Sequence, residues 1–140
     1  MAHRPITILG INSDNSLNLS DHGNSSVAPG DTITWLIGQH SGVASITSIL
    51  TKPGSPNVFN PVPGPLTGSS NWQGRINPAI SSKIVEDYSI GYTKTSGGNF
   101  VYDPKIAVKP TTLTFEKKLI ILLVVVVSLL SVVFLRTKRK

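Results

Sequence analysis

The chain has no cysteine. Disulfides, thiolate metal sites and a cysteine nucleophile are excluded at once. It has a single methionine, Met1, and only 6% of its residues are aromatic. Charge is scarce as well, at 14%, against about 25% in an average soluble chain. Acid is missing from one region altogether. Residues 1–116 hold seven basic and seven acidic side chains, whereas residues 117–140 hold six basic and none acidic. The net charge of +6 therefore belongs to the tail. A nucleic-acid binder spreads its Lys and Arg over a folded face, so no nucleic-acid partner is expected. Helical periodicity is not sustained anywhere in 1–116. The length, 140 residues, suits one ordinary domain.

What is present in strength is one apolar run. Residues 119–135, LIILLVVVVSLLSVVFL, contain no charge, Pro or Gly. At about 1.5 Å per residue the run reaches roughly 25 Å, just short of a hydrocarbon core of about 30 Å. Basic side chains at its ends can snorkel to lipid phosphates and fix its depth. Lys117 and Lys118 precede it, and Arg136, Lys138, Arg139 and Lys140 follow. These flanks mark a transmembrane helix at 119–135, a juxtamembrane linker at 111–118 and a basic tail at 136–140. Membrane lipid is thus an expected partner. Counted close to the span, the charges favour a cytoplasmic tail, and over a wider window they tie. No signal peptide is evident near Met1, which leans the domain towards the cytosolic face of a single-pass, tail-anchored protein.

Residues 1–110 read as one all-β domain. Turn clusters recur every 8–15 residues, a punctuation that suggests a sandwich of short strands. Ile6–Leu9 opens it. Thr32–Ile37 alternates, with Ile33, Trp35 and Ile37 on one face and Thr32, Thr34 and Leu36 on the other. Val43–Leu50 is β-branched and apolar. Tyr88, Ile90 and Tyr92 share a face, and so do Ile106 and Val108. Alternation at period two means one packed face and one solvated face. Residues 51–80 carry six of the ten prolines. Proline removes a ladder donor, so this stretch is expected to be a long ordered loop with Phe59 and Trp72 tucked against the sandwich.

Two stretches resemble a cupredoxin, the Greek-key sandwich of the blue-copper proteins. The first is Val27-Ala28-Pro29-Gly30-Asp31-Thr32-Ile33-Thr34-Trp35, a Pro-Gly-Asp turn leading into a strand with a core Trp. The second is Tyr88-Ser89-Ile90-Gly91-Tyr92 followed by Asp103-Pro104-Lys105-Ile106-Ala107-Val108, similar to the family's last two strands. The resemblance implies a Greek-key, cupredoxin-like β-sandwich. It does not bring the family's chemistry. A blue-copper site needs imidazoles and a soft thiolate. The resemblance puts the first His position at Val43–Ala44 and the Cys position near Gly91–Tyr92, and no ligand stands at either. No cofactor is expected.

Other chemistry is thin. His22 and His40 lie in turns and are candidates for a shared metal site. His3 near a free amino terminus is a candidate for square-planar Cu(II), a geometry that nitrogen donors favour. Asp14, Asn15, Asn18 and Asp21 form a polar loop, but EF-hand spacing is absent. Glu86 and Asp87 are adjacent, so in a strand they point to opposite faces. No nucleophile elbow, zinc-binding helix or phosphate loop occurs. No catalytic residue is expected. The sequence reads as a membrane-anchored, copper-free cupredoxin-like domain acting as a structural or interaction module, with an unknown protein partner. The alternative is a copper-binding module built on His40, His22 or His3.

Overall fold

The structure is a computed structural model and describes residues 1–110. The linker 111–118, the apolar run 119–135, the tail 136–140 and all six flanking basic residues lie outside the described residues. Among the described residues no helix is long and apolar enough to cross a membrane.

Ten strands follow in chain order: β1 (His3–Ile11), β2 (Leu17–Leu19), β3 (Asn24–Val27), β4 (Thr32–Ile37), β5 (Val43–Thr51), β6 (Gly64–Pro65), β7 (Trp72–Arg75), β8 (Ile84–Lys94), β9 (Asn99–Tyr102) and β10 (Lys105–Val108). They form two sheets. The first has the order β2-β1-β4-β7-β6, and the second β3-β10-β8-β5, with β9 also pairing β8. Two pairs are parallel, β1 with β4 and β3 with β10. The all-β expectation is met, and the sheets share one core of aliphatic and aromatic side chains.

The Pro-Gly-Asp turn starts β4. Gly30 has φ of +82°, and the Asp31 amide donates to the Ala28 carbonyl at 3.1 Å. A type II turn has this geometry and favours Pro and Gly at its two central positions. The strand then delivers Trp35 to the centre of the core. Its indole Nε1–H donates to the Tyr88 hydroxyl on the opposite sheet at 3.2 Å, and the two rings meet edge to face at 5.9 Å. Tyr88, Ile90 and Tyr92 share the buried face of β8, and Ile106 and Val108 that of β10.

Four details differ from the sequence expectation. β1 begins at His3, three residues earlier than Ile6, because Asp31 binds the Ala2 amide. Thr34 is buried although it faces away from the core, since His3 and Gln73 bond its hydroxyl. In β5 the buried residues are Val43, Ile46 and Ile49, a spacing of three rather than two. Register shifts between Val43 and Ser45 and between Ile46 and Ser48 account for it, because each bulge inserts an unpaired residue. Finally, the 51–80 stretch is not all loop. β7, which holds no proline, is an inner strand between β4 and β6. Pro65 sits in β6 at the sheet edge, where its missing donor faces no partner strand. Phe59 is buried and Trp72 half-buried, as expected of both. Gly74 makes room for Phe59, because a Cβ there would stand 3.0 Å from its ring.

Candidate functional site

The two positions that the resemblance assigns to copper ligands do come together. β5 and β8 place Val43 opposite Lys94 and Ile46 opposite Tyr92. The side chains there suit no copper ion. Val43 is buried and apolar. Tyr92 donates its hydroxyl to the Asn15 carbonyl at 2.5 Å, and burial, with a smaller contribution from Asp14, raises its pKa, so it stays a protonated donor. The Lys94 ammonium donates to Asn15 Oδ1 and lies 4.2 Å above the Phe100 ring, which stacks on Tyr92. An ammonium, a phenol and aliphatic groups offer no soft ligand and repel a cation. Lys94 was not singled out from the sequence and Asn15 only as part of a polar loop, and only the fold unites residues 79 positions apart.

His3 and His40 lie at opposite ends of the β1–β4 pair. His3 pairs with Thr32 at the start of β1, and His40 follows the end of the parallel strand β4. At about 3.3 Å per residue they are separated by at least ~16 Å. His22 lies in the turn between β2 and β3. His22 and His40 adopt φ of 56° and 61°, a left-handed conformation that His tolerates better than most residues, and this ties them to their turns. The His3 ring bonds Thr34 Oγ1 at 2.7 Å, and the Ala2 amide, which a terminal Cu(II) site would need, donates to Asp31. Among the described residues no three His, Asp or Glu side chains converge on a metal-sized space.

The acidic side chains are engaged locally. Asp14 accepts from the Ser16 hydroxyl and amide, which hold its pKa down. Asp21 accepts from the Gly23 amide and the Ser25 hydroxyl. These are self-contained turns and not a calcium loop. Asp31 is buried and accepts from the amides of Ala2 and Ala28 and from Arg4 Nε. Burial alone would raise its pKa, but the three donors outweigh it and the net shift is downward. Glu86 went unnoticed as a site in the sequence. It is fully buried, with Oε1 accepting from the Thr51 hydroxyl and Oε2 from the Val58 amide, both at 2.7 Å. Burial raises its pKa, and the two bonds oppose this without prevailing. A signal existed: stepping back two residues from Tyr88, Ile90 and Tyr92 puts Glu86 on the same inward face. Asp87 faces outward, on the face opposite Glu86.

One concave feature lies on the outer face of the second sheet. A hollow of about 520 Å³ is bounded by residues 52–56, Val85, Asp87, Asp103 and Lys105, a size within the range of small-ligand sites. Lys52 pairs with Asp103 at 2.8 Å and Lys105 with Asp87 at 3.4 Å. Ser89 also donates to Asp103, and the Lys52 and Ser89 bonds lower the Asp103 pKa. Around it the same face exposes Leu50, Val85 and Val101. Lys52, Asp87, Asp103 and Lys105 were not marked as site residues from the sequence. Their meeting depends on β8 pairing with β5 on one side and with β9 and β10 on the other.

No family model and no curated protein matches the chain. Among solved structures, a cysteine protease inhibitor from Entamoeba histolytica is similar with a TM-score of 0.39 and 14% identity, over 79% of this chain and 96% of that one. A pseudoazurin from Sinorhizobium meliloti is similar with a TM-score of 0.31 and 22% identity, over 79% of this chain and 77% of that one. Neither likeness is close enough to assign a family or a function.

Proposed function

We propose that residues 1–110 are a cupredoxin-like domain without a copper centre, held at a membrane by a span at 119–135, and that the domain recognises a protein partner. The observation that carries this reading is the contrast between two places. The end where copper ligands would stand is closed by Lys94, Tyr92 and Phe100. The outer face of the second sheet instead offers an open hollow with charges of both signs beside exposed Leu50, Val85 and Val101. Exposed apolar side chains rimmed by charges suit a protein contact. The Pro-Gly-Asp turn that leads into β4 and its core Trp35 supports the cupredoxin-like part. The apolar run with its basic flanks supports the membrane part.

Two experiments test this. The full chain should stay with membranes after carbonate extraction; release into the supernatant overturns the anchor. Lys52→Glu sets like charge beside Asp103 and should abolish partner capture, while replacing His3, His22 and His40 together by Ala should leave capture intact. The opposite pattern overturns the recognition reading in favour of a metal site.

A further inference from the structure

The outer face of the first sheet carries an arginine with an unmet bond. Gln73 donates to Thr34 Oγ1, which turns Gln73 and hence Arg75, two residues on, away from the core. Register places His3, Thr32 and Arg75 in one row across β1, β4 and β7, with Pro5, Thr34 and Gln73 in the next. Neighbouring strands are about 4.8 Å apart, so these side chains form one compact patch. Arg75 Nε is buried and has no hydrogen-bond partner, whereas the residue as a whole is only partly buried. None of the ion pairs among the described residues involves Arg75.

No acid among the described residues is available to complete it. The six acidic side chains among the described residues all have other partners: Asp14 and Asp21 in their own turns, Asp31 with Arg4, Glu86 inside the core, Asp87 with Lys105 and Asp103 with Lys52. The patch holds donors, a guanidinium and an imidazole, and no carboxylate. A buried donor without an acceptor is a standing cost. The cost is removed when the guanidinium turns its Nε edge onto an oxygen pair, the side-on geometry that suits oxyanions.

We infer that this patch, centred on Arg75 with Gln73, Thr32 and His3 around it, is a binding site for a phosphate-type oxyanion. A tetrahedral oxyanion has acceptors enough for the guanidinium fork and for a neighbouring side chain. The site lies on the sheet opposite the hollow and does not depend on the partner-recognition reading.

The test follows the Arg75 Nε–Hε resonance of the full chain in a non-ionic detergent during titration with inorganic phosphate. A saturable shift at about millimolar phosphate is expected, the affinity of one charge-assisted fork. Arg75→Gln should weaken binding at least tenfold, Arg75→Lys should recover only part of it, and Lys83→Gln should change nothing. Near-ultraviolet dichroism from Trp35 checks that each variant is folded, and the wild-type titration decides if a variant is not. Mixed micelles containing phosphatidylglycerol form the second arm. A response to both ligands identifies a general phosphate site, and a response to phosphatidylglycerol alone a headgroup site. No response to either, or an equal response to sodium chloride at matched ionic strength, overturns the inference.

Discussion

Asp31 and Glu86 are both buried carboxylates, and their surroundings drive them in opposite directions. Asp31 stands at the entry to the first sheet, where two amides and the Arg4 guanidinium converge on it. Glu86 lies inside the second sheet, where one amide and one hydroxyl reach it. Burial raises the pKa of both groups, and only at Asp31 do the donors win. The difference is one neighbour and one charge. Each carboxylate pins a distant segment, the amino-terminal strand in one case and the start of the 51–80 stretch in the other. The Asp31 clamp works best ionised. The Glu86 clamp carries an ionisation penalty.

The comparison breaks most visibly at Glu86. Glu86→Ala leaves the Val58 amide without an acceptor and opens a void, so it should cost about 3–4 kcal/mol, read from urea unfolding. Asp31→Asn comes next. It sets an amide NH₂ against donors and deprives Arg4 of its counter-charge, for about 2 kcal/mol. Glu86→Gln sharpens the contrast, because it keeps the shape and removes the charge. It should be neutral or stabilising by up to about 1 kcal/mol at neutral pH. If Glu86→Gln destabilises as much as Asp31→Asn, the two sites do not differ as described.

Titration provides a finer test. The Asp31 pKa is lower folded than unfolded, so its contribution is present above the ordinary value of 3.8 and is lost as pH falls through the folded value. Glu86 is raised, so its ionisation lowers stability above the folded value, and this penalty is relieved as pH falls from there to the ordinary 4.5. The urea midpoint should therefore rise from pH 8 towards 4.5 and fall below 3.8. Glu86→Gln should erase the rise, and Asp31→Asn should blunt the fall. The smallest effect is expected at the surface. Asp87 and Lys105 are each about half exposed, so Lys105→Gln should change stability by less than about 0.5 kcal/mol.

Much of the fold was legible because period-two alternation is strong where one face is buried, as in β8 and β10. The Pro-Gly-Asp turn was legible because Gly30 and Asp31 each have a specific local task. β7 was hidden because its four residues sit between prolines at 65 and 78, and composition averages over such short elements. The spacing in β5 was hidden because bulges are set by the partner strand. The hollow and the Arg75 patch were not legible, since their residues meet only through non-local pairing. Glu86 was legible in principle. Its charge argues for the surface and its position in the alternation for the core, and in the structure it is buried.

The most direct test of the central account is photo-crosslinking with the full chain in membranes. A photoreactive residue is placed at Val85, beside the hollow, and in a second protein at Leu9, which is also exposed but lies on the other sheet. The account predicts one discrete crosslinked protein from position 85, absent from position 9, lost with Lys52→Glu and kept when all three histidines are replaced by Ala. Equal crosslinking from both positions, or loss on replacing the histidines, would contradict it.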